Sequence, residues 1–378
     1  MKTAFASPPH PNGRLTIDLG AIVANWQKLR GKAAHKQCAA VVKADAYGLG
    51  TQPVAQALYK AGCRDFFTAT IGEGLLVRQV APKARIHIFN GFNVKAEAEY
   101  RRHQLTPVIN SPRGINNWTA KQRRGARPAL HIDTGMNRLG LDAEELAWLL
   151  ASPDLMKKLN PELIVSHFAC ADDPAHPLNA KQIGAFREAA VHFPGARASL
   201  ANSAGVFLGK KAHFDLLRPG ISLYGGDAVN DVKNPMKPVV RLEGRIIQMK
   251  QAKRGEGVGY GAAAVLQRDT KIAVIGIGYA DGLHRQASGA GTTLRNHRIG
   301  TGGCSMIGRY RAPILGRISM DLTALDVTDV PERVLAKTEW VDLINKQLRV
   351  DELAASAGTI GYELLTSLGQ RYERIYVK

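Results

Sequence analysis

Five stretches of the chain set a reactive side chain at or just after an apolar run: Lys43 in VVKADAYGLG, Arg138 in HIDTGMNRLG, His167 in SHFACAD, Asn202 and Ser203 in ANSAG, and Arg218 in LRPGISLYG. Position alone reads Lys43 as a solvated charge that closes a strand. In a second reading the amine is held partly out of water, which lowers its pKa and lets it attack a carbonyl to form a Schiff base. The choice depends on whether these stretches converge.

The elements around them say that they do. Strand candidates fall at Cys38–Val42, Phe66–Ala69, Ile86–Phe89, Leu105–Ile109, Ala129–Asp133, Leu163–Phe168, Ala196–Leu200 and Phe214–Arg218, each separated from the next by room for a helix. One helix is explicit in LGAIVANWQKLRG, where Leu19, Ile22, Val23, Trp26 and Leu29 share a face between an Asp18 N-cap and a Gly31 C-cap. Eight such units predict an α/β fold, a (β/α)8 TIM-type barrel, whose active site lies where strand C-termini meet their loops. Lys43 follows the first strand, Arg138 the fifth, Asn202 and Ser203 the seventh, while His167 closes the sixth and Arg218 the eighth. A partly desolvated lysine in that mouth suits attachment of pyridoxal 5'-phosphate (PLP).

After about residue 240 the pattern changes to β-branched alternation punctuated by glycine, as in RLEGRIIQMK, TKIAVIGIGYADG and RAPILGRISMDLTALDVTDV. Ile318, Met320, Leu322 and Ala324 recur at every second position, which predicts a half-buried strand. The expected organisation is a barrel over residues 13–238 and a mainly β domain over 239–378, with residues 1–12 extended along the latter. Two prolines in NPMKPVV mark the boundary.

The 378 residues exceed what one hydrophobic core holds, about 250–300. With 45% hydrophobic and 22% charged residues, the composition is that of a soluble globular protein. The first residues, MKTAFASPPHPNG, hold no apolar h-region or cleavage-site pattern, and no apolar run reaches the ~18 residues of a membrane span, so a cytoplasmic location is expected. Cys38, Cys63, Cys170 and Cys304 are scattered without a CxxC pair, which predicts reduced thiols and no metal site. The formal charge of +19 does not concentrate into a nucleic-acid patch: Lys121–Arg124 and Arg101–His103 are short and lack interleaved aromatics.

VVKADAYGLG resembles the PLP-lysine motif of the alanine racemase family. HIDTGMNRLG, SHFACAD, ANSAG, LRPGISLYG, GYGAAAV, IGIGYADG, GRISMD and TIGYELL resemble that family's further blocks in the family's order, so the likeness spans nearly the whole chain. It implies an N-terminal barrel, a C-terminal β domain and a homodimer with shared active sites. It also implies interconversion of L- and D-alanine, the D-form feeding peptidoglycan.

Residue by residue, the resemblance implies that Lys43 holds PLP and that Lys43 and Tyr279 are the two acid/base groups. Two are needed because a proton leaves one face of Cα and another returns to the opposite face. A phenol with an ordinary pKa of ~10 needs help as a base, and the resemblance supplies a line from Tyr279 through His167 and Arg218 to the pyridine nitrogen. Ser203, Gly220 and Ile221 are implied as phosphate donors, with Asn202, Tyr47 and Tyr362 also at the cofactor. Arg138 is implied at the PLP phenolic oxygen and near the substrate carboxylate, and Met320 offers that carboxylate its N–H. Read in isolation, His167, Tyr47, Tyr362 and Met320 are ordinary core residues.

One position departs from the family pattern. Where several members carry a lysine that becomes carbamylated and braces the arginine, this chain has His131, which cannot form that carbamate. A broader small-amino-acid racemase, acting for example on serine, is the nearest alternative. A decarboxylase is disfavoured by Arg218 at the pyridine nitrogen, and a single-barrel PLP-binding module by the additional β domain.

Overall fold

The computed structural model describes residues 10–32, 37–120, 126–295 and 297–378, and the chain divides into two compact units. One spans Ile22–Lys237; the other joins the described residues up to Ala21 with Pro238–Lys378. The basic run Lys121–Arg124 and residues 1–9 lie outside the described residues.

The chain starts with β1 (Gly13–Asp18) and a helix, Leu19–Lys32. Asp18 caps that helix by accepting from the Ala21 N–H at 2.7 Å, and Ile22, Trp26 and Leu29 form its buried face. Gly31 keeps a helical backbone instead of ending the helix, which runs on to Lys32.

The barrel strands follow: β2 (Gln37–Cys38), β3 (Ala40–Val41), β4 (Asp65–Thr68), β5 (Arg85–Ile88), β6 (Leu105–Ile109), β7 (Ala129–His131), β8 (Leu163–Val165), β9 (Arg197–Ser199) and β10 (Leu216–Leu217). β3 to β9 pair in sequence order, all parallel. β10 pairs with β2, and Asp215 N–H donates to Ala198 O and Arg218 N–H to Ala201 O, both at 2.9 Å. Since β2 and β3 are two halves of one strand, the ladder closes on itself as the predicted (β/α)8 barrel and leaves no open edge. Its strands are buried on both faces, with Ile109, Leu130, Ile164, Phe186 and Leu200 in one apolar cluster.

Several strands end earlier than their apolar runs. β8 stops at Val165 and β10 at Leu217, so His167 and Arg218 stand past the strand ends and not within them. At the opposite, N-terminal ends of the strands, buried Asp65 accepts from Arg85 at 2.6 and 2.8 Å and from Arg197 at 3.0 Å, with His87 at 3.3 Å. Burial alone would raise the Asp65 pKa, but hydrogen bonds from Arg85, His87 and Arg197 hold it far below the usual carboxylate range.

The second unit contains β11 (Val240–Ala252), β12 (Gly257–Val258), β13 (Ala264–Val265), β14 (Thr270–Ile275), β15 (Thr293–Leu294), β16 (His297–Arg298), β17 (Cys304–Ile307), β18 (Tyr310–Leu315), β19 (Thr323–Asp326), β20 (Trp340–Ile344) and β21 (Glu373–Val377). The main sheet runs β14-β19-β18-β17-β20-β11-β1-β21, and β11 also pairs with β14, so this sheet too curls back on itself. β1 fills the slot between β11 and β21, with Leu15 and Ile17 fully buried. Residues 13–21 therefore belong to this unit, not to a barrel beginning at 13, because their partners lie more than two hundred residues away.

The strand expected over residues 318–324 begins only at Thr323, and Met320 and Leu322 are exposed in a loop. Its backbone carbonyls are taken by another loop: Tyr279 N–H donates to Ser319 O at 3.0 Å and Ala280 N–H to Met320 O at 2.9 Å. All four cysteines are unpaired, and no described helix is long and apolar enough to cross a membrane.

Candidate active site

Lys43 leaves β3 through a turn of inverted hand. Ala44, Asp45, Ala46 and Tyr47 have φ between 52 and 57° and ψ between 41 and 53°, the left-handed region that costs a non-glycine residue about 1–2 kcal/mol. Specific bonds hold this turn. Asp45 accepts from the Thr51 N–H at 2.7 Å and its hydroxyl at 3.1 Å, and Glu73 accepts from the Ala44 N–H at 2.6 Å. The reversal leaves Lys43 exposed at the mouth while Tyr47 folds back against the barrel, its ring 4.7 Å from that of Tyr224. Although Lys43 is open to solvent on one side, desolvation lowers its pKa, the charge of Arg138 lowers it further, and Glu73 partly opposes both.

A cup of donors lies after β9 and β10. Ser203 Oγ accepts from the Gly220 N–H at 2.8 Å and the Ser222 N–H at 3.3 Å, at the start of a short 3-10 turn, Ile221–Tyr224. Asn202 accepts from the Gly205 N–H at 2.9 Å and so shapes the turn that carries Ser203. Gly220 is required by space: a Cβ there would lie 2.1 Å from the Tyr47 hydroxyl. Ser222 Oγ is buried with no partner among the described residues.

Arg218 is buried, and four of its five donors are spent on neighbouring strand ends. Nη1 donates to Ser199 O at 2.7 Å and to the Ser199 hydroxyl; Nη2 donates to Ser166 O and, at 3.5 Å, to Leu200 O. Nε alone has no acceptor among the described residues. Burial pushes the Arg218 pKa down to about 9, which still leaves the cation at neutral pH. His167 is held well below its ordinary value by burial first and then by Arg218, Arg138, His131 and Lys43, so its imidazole is neutral. Gln182 braces it from the helix Pro177–Ala190, donating to His167 O at 2.9 Å and accepting from the Ala169 N–H at 3.0 Å.

Arg138 rides on a loop pinned to the end of β7. Leu141 N–H donates to His131 O at 2.9 Å and Asp133 N–H to Leu141 O at 2.8 Å, while the Asp133 carboxylate accepts from the N–H groups of Gly135 and Met136. Asn110 donates to Phe89 O at 2.8 Å, which leaves its Oδ1 to accept from His131 Nδ1 at 3.1 Å. His131 Nδ1 thus carries the proton and Nε2 is the acceptor. Burial, then the charge of Arg218, lowers the His131 pKa to about 4, with Asp133 opposing and Arg138 adding to the shift. A neutral, oriented imidazole therefore stands at the end of β7.

Three of the expected site residues belong to the β unit. Tyr279 and Met320 are exposed on paired loops, and Tyr362 is half-buried on the helix Gly361–Ser367. Gly278 lies so close to the Met320 loop that a Cβ would be 2.3 Å from both Ser319 O and Met320 O. Sequence reasoning missed the supporting set: Glu73, Asn110, Ser166, Gln182, Ser199 and Ser222. The first five act on residues distant in sequence, so no local spacing announces them, and Ser222 lies inside LRPGISLYG as one small residue among several.

The barrel residues fit PLP. A lysine of lowered pKa, a cup of N–H donors, an orphaned buried hydroxyl at Ser222 and an orphaned guanidinium N–H at Arg218 match an aldehyde, a phosphate and a ring nitrogen. Residues 17–228 match the family model described as alanine racemase, N-terminal domain, and residues 239–376 the C-terminal domain. The chain is 46% identical to the biosynthetic alanine racemase of Agrobacterium fabrum, over 96% of this chain and 93% of that one. It is also 46% identical to alanine racemase of Rhizobium meliloti, over 97% of both. A crystal structure of alanine racemase from Bartonella henselae with covalently bound pyridoxal phosphate superposes with a TM-score of 0.88 at 38% identity, covering 98% of this chain and 100% of that one. Matched in both domains, and along nearly its whole length by each relative, this chain belongs to the alanine racemase family.

Proposed function

We infer that this chain interconverts L- and D-alanine, with Lys43 and Tyr279 as the two proton carriers. The observation that carries the reading is the pairing of a lysine of lowered pKa with a buried arginine that has one donor unspent, both at the same barrel mouth. Bound PLP supplies an electron sink for the charge left on Cα when the α-proton departs.

The chain's own residues do the rest. Ser203, the Gly220 and Ile221 N–H groups and the Ser222 hydroxyl receive the phosphate, with Tyr47 and Asn202 shaping that cup and Tyr362 contributing from the β unit. Arg218 would hold the ring nitrogen through its unspent Nε–H, and a guanidinium that keeps its proton would restrain ring protonation and with it transamination. Lys43, which would hold the cofactor through its amine, is placed to take or return the α-proton on one face. Tyr279 of the partner subunit serves the other face, with neutral His167 as its hydrogen-bond acceptor. Arg138 and the Met320 N–H orient the substrate carboxylate. The working unit is a cytoplasmic homodimer with shared sites, and its D-alanine feeds peptidoglycan.

The test is to incubate the purified protein with L-alanine, and separately with L-serine, and to measure the D-isomers. D-alanine formation that disappears in Lys43→Ala together with the lysine-bound cofactor absorbance supports the reading. A PLP-loaded wild type that forms no D-alanine overturns it, and faster turnover of serine moves the assignment to a broader racemase.

A further inference from the structure

Tyr279 and Met320 sit on loop tips, residues 276–282 and 316–322, where both side chains are exposed and little packing fixes them. The two loops are nevertheless stitched together. Tyr279 and Ala280 N–H groups donate to Ser319 O and Met320 O, and Thr323 Oγ1 donates to Ile277 O at 2.8 Å. Beyond this backbone seam, a third segment reaches across. Arg371 Nε donates to Asp281 Oδ1 at 2.7 Å and Arg371 Nη1 to Asp321 Oδ1 at 2.8 Å.

The position of those two carboxylates matters. Asp281 is two residues past Tyr279, and Asp321 directly follows Met320. Asp281 is buried, and its other oxygen accepts from the Gly278 N–H at 2.9 Å, so it is rigidly seated; Asp321 is exposed. Gly369 N–H also donates to Asp281 O at 3.0 Å, which fixes the segment that presents Arg371. One guanidinium fork therefore ties a seated anchor in the first loop to a free carboxylate at the tip of the second. A lysine, with a single charged nitrogen, does not span two carboxylates in this way.

We propose that Arg371 is a positioning residue that sets the spacing between the Tyr279 hydroxyl and the Met320 N–H. Its loss frees Asp321 at the tip of the second loop from the Asp281 anchor, so that the tips are held by their seam alone, while the PLP cup in the barrel unit keeps all its contacts. This rests on the racemase reading for its catalytic consequence, but the clamp itself can be read without activity.

The experiment compares wild-type holoenzyme with Arg371→Gln, Arg371→Lys and a control, Arg268→Gln, which removes another exposed arginine of the same unit, paired with Asp326 and Asp329. Arg371→Gln is expected to raise hydrogen exchange in peptides covering residues 277–282 and 316–322. It also lowers kcat/KM by between about tenfold and about a hundredfold, as misplacement by about 1 Å does, while the lysine-bound cofactor spectrum is unchanged. Added guanidinium ion restores part of the activity, Arg371→Lys restores little, and Arg268→Gln matches wild type. Wild-type exchange and kinetics in Arg371→Gln overturn the proposal, as does a loss of activity accompanied by general unfolding that guanidinium does not relieve. A wild type without racemisation sinks the racemase reading, whereas the exchange data still decide the clamp.

Discussion

Ser199 offers both its carbonyl oxygen and its hydroxyl to Nη1 of Arg218, across two neighbouring barrel strands. That hydroxyl donates its hydrogen bond to Leu216 O, so it can only accept from the arginine. The pair converts a buried cation into a rigid donor aimed by its remaining Nε.

Ser199→Ala removes one charge-assisted acceptor from a fully enclosed guanidinium. Stability should fall by about 1–3 kcal/mol, read as a lower urea midpoint with an unchanged slope. PLP retention should weaken as Nε loses its orientation. A variant as stable as wild type would show that the carbonyl alone suffices.

Gly220→Ala should act through space, not backbone conformation, because the added Cβ meets the Tyr47 hydroxyl at 2.1 Å. Displacing Tyr47 costs roughly 1–3 kcal/mol and opens the phosphate cup. Equilibrium dialysis should show weaker PLP binding, partly recovered in Gly220→Ala combined with Tyr47→Phe. Undiminished PLP affinity in the single variant would contradict the close contact.

His131 links stability to acid. Its pKa is lowered to about 4 in the folded chain against ~6.5 unfolded, so the unfolded state binds more protons between those values. The stabilising contribution is complete above ~6.5 and is lost as pH falls through that window, by on the order of a few kcal/mol. Neutral His167 acts in the same direction. Urea titrations from pH 7.5 to 4.5 should show a smaller loss in His131→Asn, which keeps a polar group but cannot titrate; parallel curves would remove His131 from the account.

Asp65→Asn separates folding from catalysis. Asp65 lies at the N-terminal ends of the barrel strands, whereas Lys43 and Arg218 follow C-terminal ends, and the former face of such barrels serves stability. Removing the carboxylate leaves Arg85 and Arg197 without their buried partner, at a cost of about 3–5 kcal/mol. The expected result is a lower melting temperature with kcat and KM nearly unchanged well below it. A selective loss of kcat would refute this division of labour.

The fold was legible in the sequence where its causes are local. Apolar runs alternating with helical patterns are set by period and turn chemistry, which is why the barrel and the reactive residues following its strands could be placed before any coordinates. Strand ends were less legible: His167 and Arg218 fall outside their ladders because where a ladder stops is set by the partner strand and not by the run's own apolar residues.

What the sequence by itself determined is the inventory: a lysine, two arginines, a histidine and a serine at strand ends of one barrel, and a tyrosine and a methionine on glycine-bounded stretches of a β domain. Tertiary structure decided their states. The left-handed turn after Lys43 depends on Glu73 and Thr51, the single free donor of Arg218 depends on Ser199 and Ser166, and the tautomer of His131 depends on Asn110. β1 joins the β unit, and Met320 leaves the expected strand, through pairings with distant residues. Hydrogen bonds and desolvation act through space, so the order of residues along a chain does not contain them until the chain has folded.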